Sequence, residues 1–160
     1  MLSYRWVIFS ILALAYFLVY FHRTTGGAVS DEIKTLFGVD SAAVSLLAAA
    51  YLYSYTLMQL PSGLLTDTLG PRKAATIFIW VIVLGSLLSA YAAYVSDINL
   101  LTAGKFVIGI GAAVVYIPIM KIIAVWYRKY EFVSLSGILL LVGNVGGIAA
   151  AYPMVAMCKA

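Results

Sequence analysis

The sequence predicts an all-α membrane protein with five transmembrane helices. Hydrophobic residues make up 64% of the chain and charged residues only 10%, whereas soluble domains carry about 25% charged residues. The excess apolar surface is suited to contact with lipid. Apolar runs of about 20 residues, the length that a helix needs to cross a bilayer, recur five times. No run alternates strictly between apolar and polar residues as a barrel strand does, so we expect helices.

The composition also excludes several classes of function. A net charge of +4, scattered along the chain, is too small for a nucleic-acid-binding protein. Cys158 is the only cysteine, so no intrachain disulfide is expected, and one histidine without a Cys/His cluster predicts no metal site. The sequence contains no H-E-x-x-H or G-x-S-x-G motif and no paired carboxylates expected at membrane depth, so we expect neither an enzyme nor a bound cofactor.

The first predicted span, Arg5–Phe37, carries charge within the membrane. Its purely apolar part, Trp6–Phe21, is 16 residues long, which gives about 24 Å of helix against a hydrocarbon core of about 30 Å. We therefore expect His22 and Arg23 to lie within membrane depth, where they would face the protein interior or a wet cavity. If the span ends earlier, Arg23 would instead extend its side chain to the interface.

One face of this first helix is polar. Tyr16, Tyr20, Arg23 and Gly27 are spaced by four, three and four residues, which places them on the same side of the helix. Such a face is typical of a helix that lines a cavity. Further spans follow directly and no small-residue cleavage site ends the apolar run, so we interpret the first helix as retained rather than removed as a signal peptide.

The remaining spans follow at short intervals, which makes neighbouring helices antiparallel. They are Ala42–Thr66, Ala74–Val95, Leu100–Trp126 and Phe132–Met157. A short polar hinge, Ser62–Lys73, connects the second span to the third. In the fifth span Gly143 and Gly147 form a G-x-x-x-G pattern, which permits the close approach of another helix.

Lysine and arginine residues near the span ends predict the orientation. One side receives Arg5, Arg72, Lys73, Arg128 and Lys129. The other side receives Lys34 among Asp31, Glu32 and Asp40, and then Asp97. Because cytoplasmic loops carry an excess of basic residues, we expect the first side and the N-terminus to be cytoplasmic. The chain would then be an integral, multi-pass protein of the plasma membrane, with its fifth span ending outside.

The polar hinge resembles a known family motif. Its sequence G-L-L-T-D-T-L-G-P-R-K is similar to the loop between spans two and three of the major facilitator superfamily, commonly written G-x-x-x-D-R-x-G-R-R/K. The matching residues are Gly63, Asp67, Gly70, Arg72 and Lys73. The basic residue after the aspartate is replaced by Thr68, and Pro71 follows the second glycine. The resemblance implies a gating loop that holds the cytoplasmic side closed through ion pairs and helix-end contacts. Without it, the hinge would be a solvated turn in which Asp67 caps the next helix.

Two further stretches support this resemblance. G-K-F-V-I-G-I-G, at 104–111, looks like the family's R-x-x-x-G-x-G signature, with Lys105 in place of arginine. G-N-V-G-G, at 143–147, is similar to the glycine motif of drug antiporters but is shorter and lacks its proline. The first span also resembles that of organic-anion and sugar-acid symporters, which often have an Asp-Arg pair where this chain has His22 and Arg23.

The resemblance implies the N-terminal portion of a secondary transporter with two six-helix halves, which binds its solute between the halves near the membrane midplane. Candidate solute-binding residues on spans one and four are Tyr20, His22, Arg23, Lys105, Tyr116 and Lys121. Arg23 would bind a small polar, anionic solute through a charge-assisted fork. His22 would take up a proton in symport, or else serve as a packing residue. Lys121 would line the cavity, or else reach the cytoplasmic interface.

The expected partners are the solute, the lipid bilayer, and either the C-terminal half of the transporter or a second copy of this chain. Five spans cannot form both sides of a two-sided cavity, so further helices would be needed for transport by alternating access. The alternative is a truncated membrane fragment that does not transport, or a helix bundle that acts through partner helices. Solute flux in liposomes distinguishes these hypotheses.

Overall fold

The computed structural model describes the backbone of residues 2–158 and the side chains of residues 4–151. Its helices are α1 (Leu2–Ala28), α2 (Ser30–Phe37), α3 (Ser41–Leu69), α4 (Pro71–Val95), α5 (Ile98–Trp126) and α6 (Lys129–Cys158). All except α2 are long and apolar enough to cross a membrane. Residues 2–158 contain no strand. The chain is therefore an all-α, multi-pass integral membrane protein, as the sequence predicted.

Short polar segments set the ends of the long helices. Asp40 caps α3 by accepting a hydrogen bond of 3.0 Å from the backbone N–H of Ala43. Asp97 caps α5 by accepting bonds of 2.8 and 3.3 Å from two N–H groups of its first turn. Between α3 and α4, Gly70 has a φ of 81° that favours glycine, and Pro71 occupies the first position of α4. These tight connections make successive long helices antiparallel.

The predicted first span, Arg5–Phe37, is two helices in the structure. The break lies at Val29, between the transmembrane helix α1 and the short helix α2. Asp31 and Glu32 lie in the first turn of α2, where the helix dipole stabilises acidic residues. Two carboxylates would be costly in the hydrocarbon core of a membrane, so α2 lies outside it. The helix buries Ile33 against Val29 and Val44. The polar α2 therefore lies at one end of the bundle and is not a continuation of the transmembrane helix α1. We call this end of the bundle the α2 end.

Helix α5 forms the centre of the bundle and packs closely against α3 and α4, while α1 packs mainly against α6. Glycines permit this close approach. A β-carbon added at Gly109 of α5 would lie 2.6 Å from the carbonyl oxygen of Tyr51 on α3. At Gly146 of α6 it would lie 2.4 Å from the carbonyl oxygen of Phe17 on α1. The close approach predicted at Gly143 and Gly147 of α6 is also present, since β-carbons there would lie 2.8 Å from the ring of Tyr16 and 3.1 Å from the hydroxyl oxygen of Thr24.

Candidate solute cavity and gating loop

Tyrosine side chains meet Arg23 in the interior of the bundle. The hydroxyl oxygens of Tyr16 and Tyr20 lie 3.4 Å apart, and the ring of Tyr16 lies 5.5 Å from that of Tyr116 on α5. The guanidinium of Arg23 lies 5.8 Å from the ring of Tyr20 and 5.9 Å from that of Tyr55 on α3. These distances allow cation–π attraction to both rings. Residues from α1, α3 and α5 thus form one polar cluster around Arg23.

A cavity of about 240 Å³ lies beside this cluster. It is lined by His22, Arg23, Thr24, Gly26, Gly27, Leu47, Ala48, Tyr51, Leu52 and Lys105. Lys105 is 7% exposed, and its ammonium donates one long bond of 3.5 Å to the carbonyl oxygen of His22. No ion pair among the side chains of residues 4–151 includes Arg23 or Lys105. We call this space the basic cavity, because two cations and no carboxylate line it.

His22 contacts a hydroxyl group of α4. Its Nε2 lies 3.2 Å from the hydroxyl oxygen of Ser86 on α4. The Ser86 hydroxyl donates its own proton to the carbonyl oxygen of Ile82, at 2.8 Å. While that bond is made, the oxygen of Ser86 accepts from the tautomer of neutral His22 that carries its hydrogen on Nε2. In that tautomer Nδ1 is the nitrogen that can take up a further proton.

A second cavity, of about 350 Å³, lies between α1, α4 and α5 at the α2 end. His22, Gly26 and Lys105 line both cavities and therefore separate them. The second cavity is mostly apolar and has Glu32 among its lining residues. Its composition makes it a poorer site for a small hydrophilic anion than the basic cavity.

The polar hinge lies at the other end of the bundle. Asp67 forms an ion pair with Lys121 of α5. The guanidinium of Arg72 lies 4.6 Å from the ring centre of Trp126, within cation–π distance. Asp67 lies inside the last turn of α3, and the cap of α4 is Gly70, so Asp67 does not cap the next helix. We refer to this end of the bundle as the hinge end.

A second network at the hinge end connects α1 with the start of α6. Arg5 pairs with Glu131 at 3.1 Å, and its guanidinium lies 4.3 Å from the ring centre of Tyr127. The hydroxyl of Tyr127 donates to the carbonyl oxygen of Arg5 at 2.5 Å. Glu131 also accepts a bond of 2.8 Å from the backbone N–H of Arg128. The α5–α6 connection is thereby fastened to the first turns of α1.

The structure divides the predicted solute-binding residues between the two ends. His22, Arg23 and Lys105 line one cavity, and Tyr20 lies next to Arg23. Tyr116 joins the same cluster through Tyr16. Lys121, in contrast, lies at the hinge end with Asp67.

Sequence reasoning missed several residues of the cluster. Tyr51 and Tyr55 were not among the predicted solute-binding residues, yet their rings stack 6.0 Å apart beside Arg23 and Tyr51 lines the basic cavity. Their spacing of four residues, which puts them on one helix face, was an available signal. Ser86 had no such signal, because it meets His22 only through the way α1 and α4 are both placed around α5. Within the described residues no group of acidic, histidine or cysteine side chains is suited to a metal ion.

Comparison with known proteins agrees with this architecture. The model of the Major Facilitator Superfamily matches residues 12–158. The uncharacterized transporter YybO of Bacillus subtilis is 32% identical over 129 residues, which cover 79% of this chain and 28% of the relative. The probable galactarate/D-glucarate transporter GudP of the same species is 30% identical over 134 residues, covering 81% and 29%. The probable sulfoacetate transporter SauU of Cupriavidus necator is 25% identical over 143 residues, covering 89% and 33%.

The chain belongs to the major facilitator superfamily. It spans about a third or less of the length of these curated relatives. No solved structure matches it.

Proposed function

We propose that this chain is part of a secondary active transporter that moves a small anionic solute by alternating access, with Arg23 as its main solute-binding residue. Relatives named as transporters of sulfoacetate and of galactarate or D-glucarate support an anionic solute. Each of these compounds carries acidic groups at both ends. The whole transporter would include further helices, from a C-terminal half or from a second copy of this chain.

The observation that carries the proposal is the uncompensated positive charge in the basic cavity. Arg23 and Lys105 both line it, and neither forms an ion pair within residues 4–151. Cations at membrane depth are costly unless a counter-ion or water accompanies them. An anionic solute would supply that counter-ion. The guanidinium of Arg23 would hold one acidic group by two parallel hydrogen bonds, and the ammonium of Lys105 would attract the other.

The hinge end would act as the gate. The loop residues Gly63, Asp67, Gly70, Arg72 and Lys73 would close this side in one state and release it in another. Asp67–Lys121 and Arg72–Trp126 are contacts that a relative movement of α3, α4 and α5 would break. With its concentration of Lys and Arg, this end would face the cytoplasm of a plasma membrane, and the N-terminus would be inside.

His22 would couple transport to protons. Its ring lies between the two cavities, and its Nε2 is held by Ser86. Protonation at Nδ1 would add a third positive charge near the solute and strengthen its binding. Symport of a proton with the anion would follow, because the bound solute and the proton would stabilise each other.

A binding and flux experiment tests the proposal. The purified chain would be placed in lipid nanodiscs and titrated with galactarate and with sulfoacetate by calorimetry, and uptake of the labelled solutes would be measured in liposomes. We expect Arg23→Ala to abolish binding while leaving membrane insertion intact. Arg128→Ala removes the same side chain from the exposed α5–α6 connection and is expected to bind as the wild type does.

The outcomes distinguish the two hypotheses for function. Binding and flux that both depend on Arg23 support a carrier assembled from copies of this chain. Binding that depends on Arg23 without any flux supports a solute site that needs partner helices before it can transport. Absence of anion binding by the wild type, or equal binding by the Arg23→Ala variant, would contradict the assignment of the basic cavity.

A further inference from the structure

Tyr51, which lines the basic cavity, has a hydroxyl without a hydrogen-bond partner among the described side chains. Tyr51 is 4% exposed and lines the cavity together with Arg23 and Lys105. Its hydroxyl is buried and makes no hydrogen bond within the described residues. Buried hydroxyls are nearly always satisfied in folded proteins, because desolvation without a partner is unfavourable. A buried donor next to a ligand cavity therefore points to an acceptor that arrives with the ligand.

The backbone of Tyr51 is held in place by its contacts with Ser54 and Gly109. Its carbonyl oxygen accepts a hydrogen bond of 3.0 Å from the hydroxyl of Ser54 and lies against Gly109 of α5, where a β-carbon would approach to 2.6 Å. Its ring stacks on Tyr55 at 6.0 Å, with 18° between the planes. These contacts hold the backbone of Tyr51, so the movement that accompanies solute binding is confined to its side chain.

The chemistry of the cavity indicates what the occupant must supply. The side chains of Arg23 and Lys105 only donate hydrogen bonds, and no carboxylate lines the cavity. The occupant must therefore be rich in acceptor oxygens. The volume of about 240 Å³ lies below the range of about 300–1,000 Å³ that is typical of drug-sized ligands. A compact, multiply oxygenated anion fits both conditions.

We infer that the Tyr51 hydroxyl donates a hydrogen bond to a hydroxyl oxygen of the solute and makes the cavity selective for a hydroxylated diacid over the same diacid without hydroxyls. This inference rests on the proposed function, in which Arg23 and Lys105 hold the two acidic groups. Because the hydroxyl is fully buried, the Tyr51 side chain would turn toward the cavity when the solute binds. A site built to bond a substrate hydroxyl discriminates strongly against analogues that lack it, because its donor is then left unpaired.

The test compares two diacids and two variants. Galactarate and adipate are six-carbon diacids that differ by the hydroxyl groups of galactarate. Tyr51→Phe removes one oxygen and keeps the ring, and Tyr53→Phe makes the same change at a side chain that is 73% exposed and lines neither cavity. We expect Tyr51→Phe to weaken galactarate binding about tenfold, the effect of one lost hydrogen bond. Adipate binding to this variant, and the binding of both diacids to Tyr53→Phe, should equal that of the wild type.

Other outcomes would overturn the inference. Wild-type affinity for galactarate in the Tyr51→Phe variant would show that the hydroxyl does not contact the solute. The same result with a lower melting temperature of the solute-free variant would make Tyr51 a packing residue. Equal weakening for galactarate and adipate would refute the selectivity for hydroxyl groups. The proposed function fails separately: it is refuted if the wild type binds none of galactarate, adipate and sulfoacetate, or if Arg23→Ala leaves binding unchanged.

Discussion

Lys121, near the end of α5, forms an ion pair with Asp67, near the end of α3, across 54 positions of sequence. Lys121 had been predicted either to line the solute cavity or to reach the cytoplasmic interface, and Asp67 to act with Arg72 in the gating loop. The pair places Lys121 at the polar hinge, away from the basic cavity. Both side chains are more than a third exposed, so the pair is worth about 0.2–1 kcal/mol or less. A contact of this strength is suited to forming and breaking during a conformational change.

The first prediction concerns this pair. Asp67→Asn and Lys121→Gln should each change the rate of solute flux and leave solute affinity near the wild-type value, because Arg23 and Lys105 are at another depth of the bundle. The melting temperature should fall by less than about 4 °C, as expected for the loss of an exposed pair. Solute uptake into liposomes, calorimetry in nanodiscs and thermal unfolding of all variants in one detergent check these three expectations.

A charge exchange provides the control for the first prediction. The variant that combines Asp67→Lys with Lys121→Asp exchanges the two charges and so keeps their attraction. It should recover part of the flux that each single variant loses. A large loss of affinity in Lys121→Gln would show that Lys121 contacts the solute after all. No change in flux for any of these variants would contradict a gating role for the pair.

The second prediction concerns the contact between α3 and α5. Gly109→Ala would place a β-carbon 2.0 Å from the hydroxyl oxygen of Ser54 and 2.6 Å from the carbonyl oxygen of Tyr51. The two helices would have to separate, at a cost of about 1–3 kcal/mol. Thermal unfolding should show this loss. Gly137→Ala is the control, since a β-carbon there meets nothing within 4 Å, and it should not destabilise the protein.

A double variant sharpens the second prediction. Ser54→Ala removes the hydroxyl that the new β-carbon would meet, but the backbone carbonyl of Tyr51 stays in place. Gly109→Ala combined with Ser54→Ala should therefore remain destabilised relative to Ser54→Ala alone. Full recovery of stability would mean that the side chain of Ser54, and not the backbone, limits the approach of the helices.

Much of the fold could be predicted because each span is encoded locally. Apolar runs define the transmembrane helices, and Asp40, Asp97, Gly70 and Pro71 stand at their ends for reasons that sequence alone reveals. The separation of α2 from α1 was missed, because residues 26–29 contain no proline and the charges of α2 were counted at the end of a single span. The polar face of α1 could be predicted, since it depends only on helical spacing.

The pairings within the site could not be predicted, because they depend on how distant helices pack. Asp67 has Arg72 and Lys73 nearby in sequence, yet its partner is Lys121, because the ends of α3 and α5 meet. His22 of α1 likewise meets Ser86 of α4, a residue 64 positions away in sequence. Such contacts follow from the position and rotation of each helix in the bundle, which an apolar pattern with a weak periodicity does not define.

The third prediction concerns Tyr127, whose ring and hydroxyl both contact Arg5. Tyr127→Phe removes the hydrogen bond to the Arg5 carbonyl and should lower the free energy of unfolding by about 0.5–1.5 kcal/mol. Tyr127→Leu also removes the aromatic face under the guanidinium and should cost about 0.5–1 kcal/mol more. Thermal unfolding of both variants checks this order. Equal stability of the two would show that the ring does not attract Arg5.

The fourth prediction concerns His22 as the proton site of the proposed symport. In the wild type, Nε2 of His22 lies 3.2 Å from the oxygen of Ser86. His22→Gln keeps an N–H group near this oxygen, but the amide cannot take up a proton. Solute binding should remain, while uptake should no longer rise when the outside is made more acidic. Uptake measured with and without an inward proton gradient checks this, with Arg128→Ala as a control that should keep the response. An unchanged response to the gradient in His22→Gln would place proton coupling elsewhere in the transporter, and loss of solute binding would make His22 a solute ligand or a structural residue.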